Sequence, residues 1–254
     1  MGLTITRLPQ TLGAVVDNLP EHIDEATAAA LSEAWAENLV LFFPQARLDD
    51  ERHIALGSVF GTLHATSPGL EDDHRDQTVF GPNGEILEID ARKDRANMWH
   101  TDVTFTETPP VGSLLSMKVC PARGGDTLWS NQYLAYETLS EPIRDLVDGL
   151  SAEHGRPPMT GVHTHPMVTT HPVTGRKALF VNRGWTTRIP GLSPLESRGL
   201  LDLLFAHAEK PEHTVRWSWQ PGDAAMWDNR CTMHYAVNDY GDAERVLRRV
   251  TMYA

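Results

Sequence analysis

The chain contains only two cysteines, Cys120 and Cys231, and no Cys-x-x-Cys pair. That argues against a disulfide framework and for free thiols in a reducing cytoplasm. It also lacks a block of basic residues, and its net charge is −12. A nucleic acid or an anionic membrane surface is therefore not expected as a partner. A small anionic substrate stays admissible, because a few local arginines outweigh a distant acidic field. No apolar run approaches the length of a spanning helix, and the N-terminus has no signal-peptide pattern, so a cytoplasmic protein without a membrane partner is expected. No repeat, low-complexity tract or linker interrupts the 254 residues. This predicts one domain over 1–254, large enough to bury a core without staples.

What is present is a succession of short strand-like segments between a few helices. Residues 3–17 alternate loosely, as edge strands do. Residues 23–39 are rich in Ala, Glu and Leu near helical spacing, and 39–43 before Pro44 read as a buried strand. Asp49 is placed to cap a second helix with Ile54, Leu56, Val59 and Phe60 near its inner face. Residues 61–84 are polar, with Pro68, Gly69, Pro82 and Gly84, and predict a long loop. Strands are expected over 85–90, 112–119, 126–130, 177–181, 215–219, 224–227, 234–237 and 246–252. Helical periodicity over 131–150 is broken at Pro142, and 156–172 reads as irregular. Ser193-Pro194-Leu195-Glu196 is a capping box with proline at the first helical position. Leu200, Leu203, Leu204 and His207 share one side of the helix that follows. The pattern predicts a mainly β fold, a double-stranded β-helix (jelly roll) braced on its outer face by several α-helices.

The chemistry centres on Trp99-His100-Thr101-Asp102-Val103-Thr104-Phe105. In an extended strand, residues i and i+2 point to the same face, so His100 and Asp102 can converge on one point. A third ligand has to come from far along the chain. His234, at the end of Trp227-Asp228-Asn229-Arg230-Cys231-Thr232-Met233-His234, is the candidate. Two histidines and one carboxylate on one face of a metal leave three positions open, the facial triad of non-haem Fe(II) oxygenases. After His234 come Arg245, Arg248 and Arg249. In a strand, Arg245 and Arg249 share a face and look into the barrel, whereas Arg248 points outward as a surface charge. His163 and His165 form a His-x-His pair without a matched partner and read as a polar loop. His64 and His171 read as surface or hydrogen-bonding histidines. Trp217, Trp219 and Trp227 read as core aromatics, although a tryptophan near an oxidising iron can also serve as an electron source.

Three blocks follow one another over nearly the whole chain. They are Trp99 to Phe105 with Glu107-Thr108-Pro109-Pro110, then Gly124-Gly125-Asp126-Thr127-Leu128-Trp129, then Trp227-Asp228-Asn229-Arg230 through His234-Tyr235-Ala236-Val237. They resemble the taurine dioxygenase family, whose members are Fe(II)- and 2-oxoglutarate-dependent dioxygenases. The resemblance implies Fe(II) as the metal, 2-oxoglutarate as cosubstrate and O2 as oxidant, with His100, Asp102 and His234 as ligands and catalytic centre. Asp102 favours hydroxylation, because related halogenases lack this carboxylate. Arg245, eleven residues after the second histidine, occupies the family's position for binding the far carboxylate of 2-oxoglutarate. A guanidinium suits that task because it forks onto a carboxylate with two parallel hydrogen bonds. Thr127 stands where the family has a hydroxyl donor to the same carboxylate, and Arg249 where it contacts a substrate anion. The family also implies a homo-oligomer, a dimer or tetramer.

The likeness thins on the substrate side. Ala65-Thr66-Ser67-Pro68-Gly69 lacks the His and Tyr that hold the sulfonate in the taurine enzyme. Asn97 is displaced by one position from the family's asparagine, with Ala96 in its place, and Trp185 replaces a pocket Phe. Thr66, Asn97, Phe105 and Trp185 are expected around the substrate, a small organic anion, with taurine itself not the first expectation. Residues 155–171 are shorter than the family's covering segment, which implies a more open site or an incomplete cover. Two further readings stay open. One is a non-catalytic binding or sensing protein on the same fold. The other is a cupin-type metal hydrolase or isomerase built on His163 and His165, with no need for 2-oxoglutarate.

Overall fold

Side-chain caps open most of the helices, and the central strands are apolar runs buried on both faces. The structure is a computed structural model that describes residues 2–64, 78–92 and 97–254; Thr66, with 65–69, and Ala96 lie outside the described residues. β1 (Thr4–Arg7) and β2 (Ala14–Asp17) pair antiparallel. α1 (Glu25–Asn38) starts where Asp24 accepts from the Thr27 N–H. It ends at Leu39, whose φ of 67° turns the chain into β3 (Val40–Phe43). Asp49 caps α2 (Asp50–Ser58) through the Arg52 N–H. β4 (Thr62–His64), β5 (Val79–Phe80), β6 (Ile86–Asp90), β7 (Gly112–Val119) and β8 (Thr127–Asn131) follow. Next come α3 (Gln132–Glu137) and α4 (Glu141–Asp148). β9 (Ser151–His154), β10 (His163–Pro166), β11 (Val168–Thr170), β12 (Lys177–Leu179) and β13 (Thr186–Arg188) lead to α5 (Pro194–Ala208), which opens on the expected capping box. β14 (Thr214–Trp217), β15 (Ala224–Asp228), β16 (Thr232–Ala236) and β17 (Val246–Tyr253) complete the order.

Two sheets make the β-helix. The larger runs β1-β2-β3-β15-β7-β17-β6-β5, with β4 also on β17, and the smaller is β14-β8-β16. Phe42, Leu115, Trp227 and Leu247 of the larger sheet meet Trp129 and Val215 of the smaller in one buried core. Residues of opposite parity on the same strands, Leu41, Phe43, Leu114 and Met226, face outward. There they pack against Leu31, Trp35 and Leu56 of α1 and α2. Each such side chain contributes about 1.5–3 kcal/mol by leaving water. α5 joins β12 and the segment after it in a third core. This is the double-stranded β-helix braced by helices that the sequence predicts. Among the described residues no helix is long and apolar enough to cross a membrane.

Several local expectations are corrected. Residues 61–84 are not one loop, since they carry β4 and β5. Residues 156–172 are not irregular throughout: β10 pairs with β9, and β11 with β12. Pro142 lies in the first turn of α4 and starts that helix instead of breaking one. The buried side of α5 is Leu201, Leu204, Phe205 and Ala208, whereas Leu203 is 48 % exposed. Ile54, Leu56 and Phe60 pack toward the core as expected, but the most buried side chain of α2 is His53, which donates from Nε2 to the Leu114 carbonyl at 3.0 Å.

Candidate metal centre and cosubstrate cavity

His100 and His234 face each other as a hydrogen-bonded antiparallel pair. Each backbone N–H donates to the other's carbonyl, at 3.0 and 2.8 Å, which brings the imidazoles to 4.0 Å between ring centroids. The expected strand over His100 and Asp102 is therefore only a single bridge. Asp102 sits in the turn that follows, and Val103 takes a left-handed φ of 55°. Convergence comes from that turn, not from the pleat.

The donor set suits a divalent metal. Nδ1 of His100 donates to the Met98 carbonyl at 2.8 Å, which leaves Nε2 as a lone pair. The Nε2 atoms of His100 and His234 lie 3.6 and 3.7 Å from Asp102 Oδ1, too far for hydrogen bonds. One ligand atom from each of the three residues falls within 4.8 Å of the others. Burial, with His100 nearby, pushes His234 down to about 3, so its ring stays neutral and able to ligate. Burial pushes the Asp102 carboxyl up, but His234, Arg249, His100 and the Ser113 hydroxyl hold it below its ordinary value. Two imidazoles and one carboxylate oxygen are the hard-to-borderline donors that Fe(II) takes.

A cavity of about 90 Å³ opens on this cluster, lined by His100 and His234 together with Asn97, Thr127, Arg245 and Arg249. Ile89, Leu115, Trp227 and Leu247 supply apolar wall to the same cavity. Arg245 is 5 % exposed, and no carboxylate among the described residues lies within 4 Å of its guanidinium. It donates from Nε to the Gly125 carbonyl (3.0 Å) and from Nη2 to Thr127 Oγ1 (3.3 Å). Thr127 Oγ1 also accepts from Trp219 Nε1 at 2.9 Å. Both lone pairs of that hydroxyl are thus engaged, and its proton is free to donate. Arg249 Nη1 stands 3.6 Å from Asp102 Oδ1. Arg248 points the other way. It is not a solvated charge but is held by Asp50 (2.6 Å) and Glu88 (3.4 Å) over the Phe80 ring.

Among the other sequence candidates, Asn97 lines this cavity, whereas Phe105 and Trp185 pack edge to face on each other at 4.7 Å and are not among its lining residues. Thr66 falls outside the described residues. The His-x-His pair is not a polar loop but lies on β10. Nε2 of His165 donates to the carbonyls of Thr104 (2.8 Å) and Thr106 (3.0 Å), so that nitrogen has no lone pair for a metal. His171, Asp228 and Cys231 form a second cluster, fully buried. There His171 Nδ1 accepts from two backbone N–H groups while Nε2 donates to Asp228 at 3.0 Å, which exhausts the ring. That cluster is a hydrogen-bonded brace. Two residues at the site carry no sequence signal of their own. Ser113 Oγ donates to Asp102 Oδ2 at 2.9 Å. Gly184 lies so close to His100 that a Cβ there would stand 2.7 Å from the His100 Cβ.

With this geometry in view, the comparisons with known proteins agree. The family described as "Taurine catabolism dioxygenase TauD, TfdA family" matches residues 4–251. An α-ketoglutarate-dependent sulfate ester dioxygenase of Pseudomonas putida is 38 % identical over 261 residues, covering 92 % of this chain and 83 % of its own. An alkylsulfatase of Acinetobacter baylyi is 37 % identical over 279 residues, covering 98 % and 84 %. The crystal structure of a taurine dioxygenase from Burkholderia xenovorans superposes with a TM-score of 0.87 at 35 % identity, covering 98 % of this chain and 90 % of that one. AAD-2 in complex with Mn(II) and N-oxalylglycine superposes with a TM-score of 0.84 at 27 % identity, covering 99 % and 97 %. The chain belongs to the TauD, TfdA family and is an Fe(II)-dependent dioxygenase that consumes 2-oxoglutarate (α-ketoglutarate) and O2.

Proposed function

We propose that this enzyme hydroxylates a small organic anion at a carbon bearing a heteroatom group, with a sulfate ester as the first class to test. In this reading His100, Asp102 and His234 hold Fe(II), and Arg245 with Thr127 holds the far carboxylate of 2-oxoglutarate. Iron bound there supplies O2 activation coupled to decarboxylation of 2-oxoglutarate, giving succinate, CO2 and a hydroxylated substrate carbon. If that carbon carries a sulfate ester oxygen, the product collapses to a carbonyl compound and sulfate.

The observation that carries the reading is Arg245. A buried guanidinium with no carboxylate partner among the described residues is costly unless an anion completes it. It shares one cavity with the two imidazoles, and the apolar part of that cavity's wall suits two methylenes. The Thr127 proton is free to serve the same anion. Arg249 sets the charge of the second ligand, since a guanidinium beside the triad pairs an anionic head group. Phe105 and Trp185 offer an aromatic wall for its apolar part. The sulfate ester class is suggested by the 38 % and 37 % identical relatives, which are named for sulfate esters and alkylsulfates.

The reading keeps one dioxygenase domain over 1–254, a cytoplasmic setting, no nucleic-acid partner and a homo-oligomer; light scattering after size exclusion tests the last. The deciding experiment is succinate formation with Fe(II), ascorbate, O2 and 2-oxoglutarate. It runs against alkyl sulfates, sulfonates, phenoxy acids and other small carboxylates, with a no-substrate blank. Succinate above blank with alkyl sulfates, matched by released sulfate, is the expected result. Turnover of taurine alone would overturn the substrate class and leave the reaction standing.

A further inference from the structure

Asp102 is gripped at its backbone and at one carboxylate oxygen by two different residues. Asn229, in the turn after β15, is 1 % exposed. Its Oδ1 accepts from the Asp102 N–H at 2.8 Å, and its Nδ2 donates to the carbonyls of Asp102 and Pro110, both at 3.0 Å. One amide thus engages the peptide groups on either side of Asp102. The second of these leads into Val103. A β-branched residue at φ 55° costs about 1–3 kcal/mol and persists only where its surroundings over-determine it. With the backbone fixed, the carboxylate's own rotation is what remains. Ser113 on β7, fully buried, donates to Oδ2 at 2.9 Å. No hydrogen bond from the described residues reaches Oδ1, which faces the two imidazoles and Arg249 Nη1 at 3.6–3.7 Å.

We propose that Ser113 is a positioning residue that makes Asp102 a one-oxygen ligand; this rests on reading His100, Asp102 and His234 as the metal ligands. A carboxylate free to rotate could chelate through both oxygens and close one of the three positions that a facial triad leaves for cosubstrate and oxygen. The Ser113 hydroxyl occupies Oδ2 and prevents this. Its effect passes entirely through Asp102.

The test uses Co(II) alone as probe, with affinity measured by chelator competition and the site by its ligand-field bands. Ser113→Ala is expected to weaken Co(II) about 10–100-fold, the usual cost of losing a partner behind a metal ligand, and to shift those bands. In an Asp102→Ala background the same substitution should change neither, because its target is gone. Parent-like affinity and bands in Ser113→Ala, or an equal loss in both backgrounds, overturns the proposal. His100→Ala and Asp102→Ala separate the two ideas. If they leave Co(II) binding unchanged, the ligand reading falls and the proposal with it. If they weaken it while Ser113→Ala does not, only the proposal falls. Ser113→Ala removes one oxygen from a strand interior, and its thermal unfolding midpoint reports whether the fold is intact.

Discussion

The same one-methyl substitution should have opposite outcomes at Gly184 and Gly199. At Gly184 the added Cβ would lie 2.7 Å from the His100 Cβ, 3.3 Å from Asn182 Oδ1 and 3.4 Å from the Trp99 carbonyl oxygen. Carbon atoms rest at about 3.5–4.0 Å, so roughly 1 Å must be found between this segment and His100. Neither side yields easily. The Gly184 N–H is bound to the Trp99 carbonyl (2.9 Å), and the Gly184 carbonyl accepts from Arg156 Nε (2.6 Å). His100 is locked to His234 by two backbone hydrogen bonds. Overpacking of this kind costs about 1–3 kcal/mol, which lowers Tm by about 2–12 °C at this chain length. Moving a ligand by about 1 Å costs about 10²-fold in rate, so kcat/KM should fall by about that factor. Gly199 lies exposed in the interior of α5, and a Cβ there meets nothing within 4 Å. Gly199→Ala should stabilise by about 0.5–1 kcal/mol with parent activity. Thermal unfolding and succinate formation read both variants. Parent kcat/KM in Gly184→Ala, or midpoints moving the same way in both, refutes the reasoning.

Three further outcomes follow from the site and its supports. Arg245→Ala should raise KM for 2-oxoglutarate at least 10-fold, since a hydrogen bond to a charged group contributes about 1.5–3 kcal/mol, while Co(II) affinity stays at the parent value; an unchanged KM removes Arg245 from the cosubstrate site. His53 is held down to about 4, chiefly by burial, from an ordinary value of 6.5. Its folded pKa lies below the unfolded one, so the unfolded chain binds the extra proton between pH 6.5 and about 4, and stability is lost as pH falls through that window. The contribution is on the order of 3 kcal/mol at 1.36 per unit, and His53→Gln should flatten the dependence of the urea midpoint on pH between 7 and 4.5. Asp228→Asn should cost about 3–5 kcal/mol in urea unfolding, because Asp228 is fully buried and accepts from Arg230 at 2.5 and 2.9 Å and from His171 at 3.0 Å.

Legibility in the sequence divides by how a residue acts. Residues proposed to act through their own chemistry can be read as candidates: His100, Asp102 and His234 from residue types, Arg245 and Arg249 with the help of the family resemblance. The structure lines one cavity with His100, His234, Arg245 and Arg249 and sets Asp102 against both imidazoles. The central strands are visible because both of their faces are buried, so Val40–Phe43 is a short unbroken apolar run, with Phe42 in one core and Leu41 and Phe43 in the other. β10 and β11 were not legible, because His163–Pro166 has no hydrophobic alternation, and only pairing with the distant residues of β9 makes it a strand. The α5 stripe failed for a related reason. Leucines stand on both sides of the helix, and the neighbouring core selects Leu201 over Leu203. His100 and Asp102 come together through a turn and not a pleat, because Val103 goes left-handed, which no rule about continued strands foresees. Gly184 and Ser113 carry no signal in the sequence, and Asn229 shows only as a member of the block from Trp227 to Arg230, without its role. Gly184 matters through the side chain it lacks, Ser113 through one hydroxyl at 2.9 Å, and Asn229 through backbone groups 127 residues away. Their signal exists only once the chain has folded. They set the position of the proposed ligands, whereas residue types at spacings reveal only which candidates there are. Two chains with the same triad pattern can therefore differ in metal affinity by the factor assigned to Ser113 while looking identical at every ligand position.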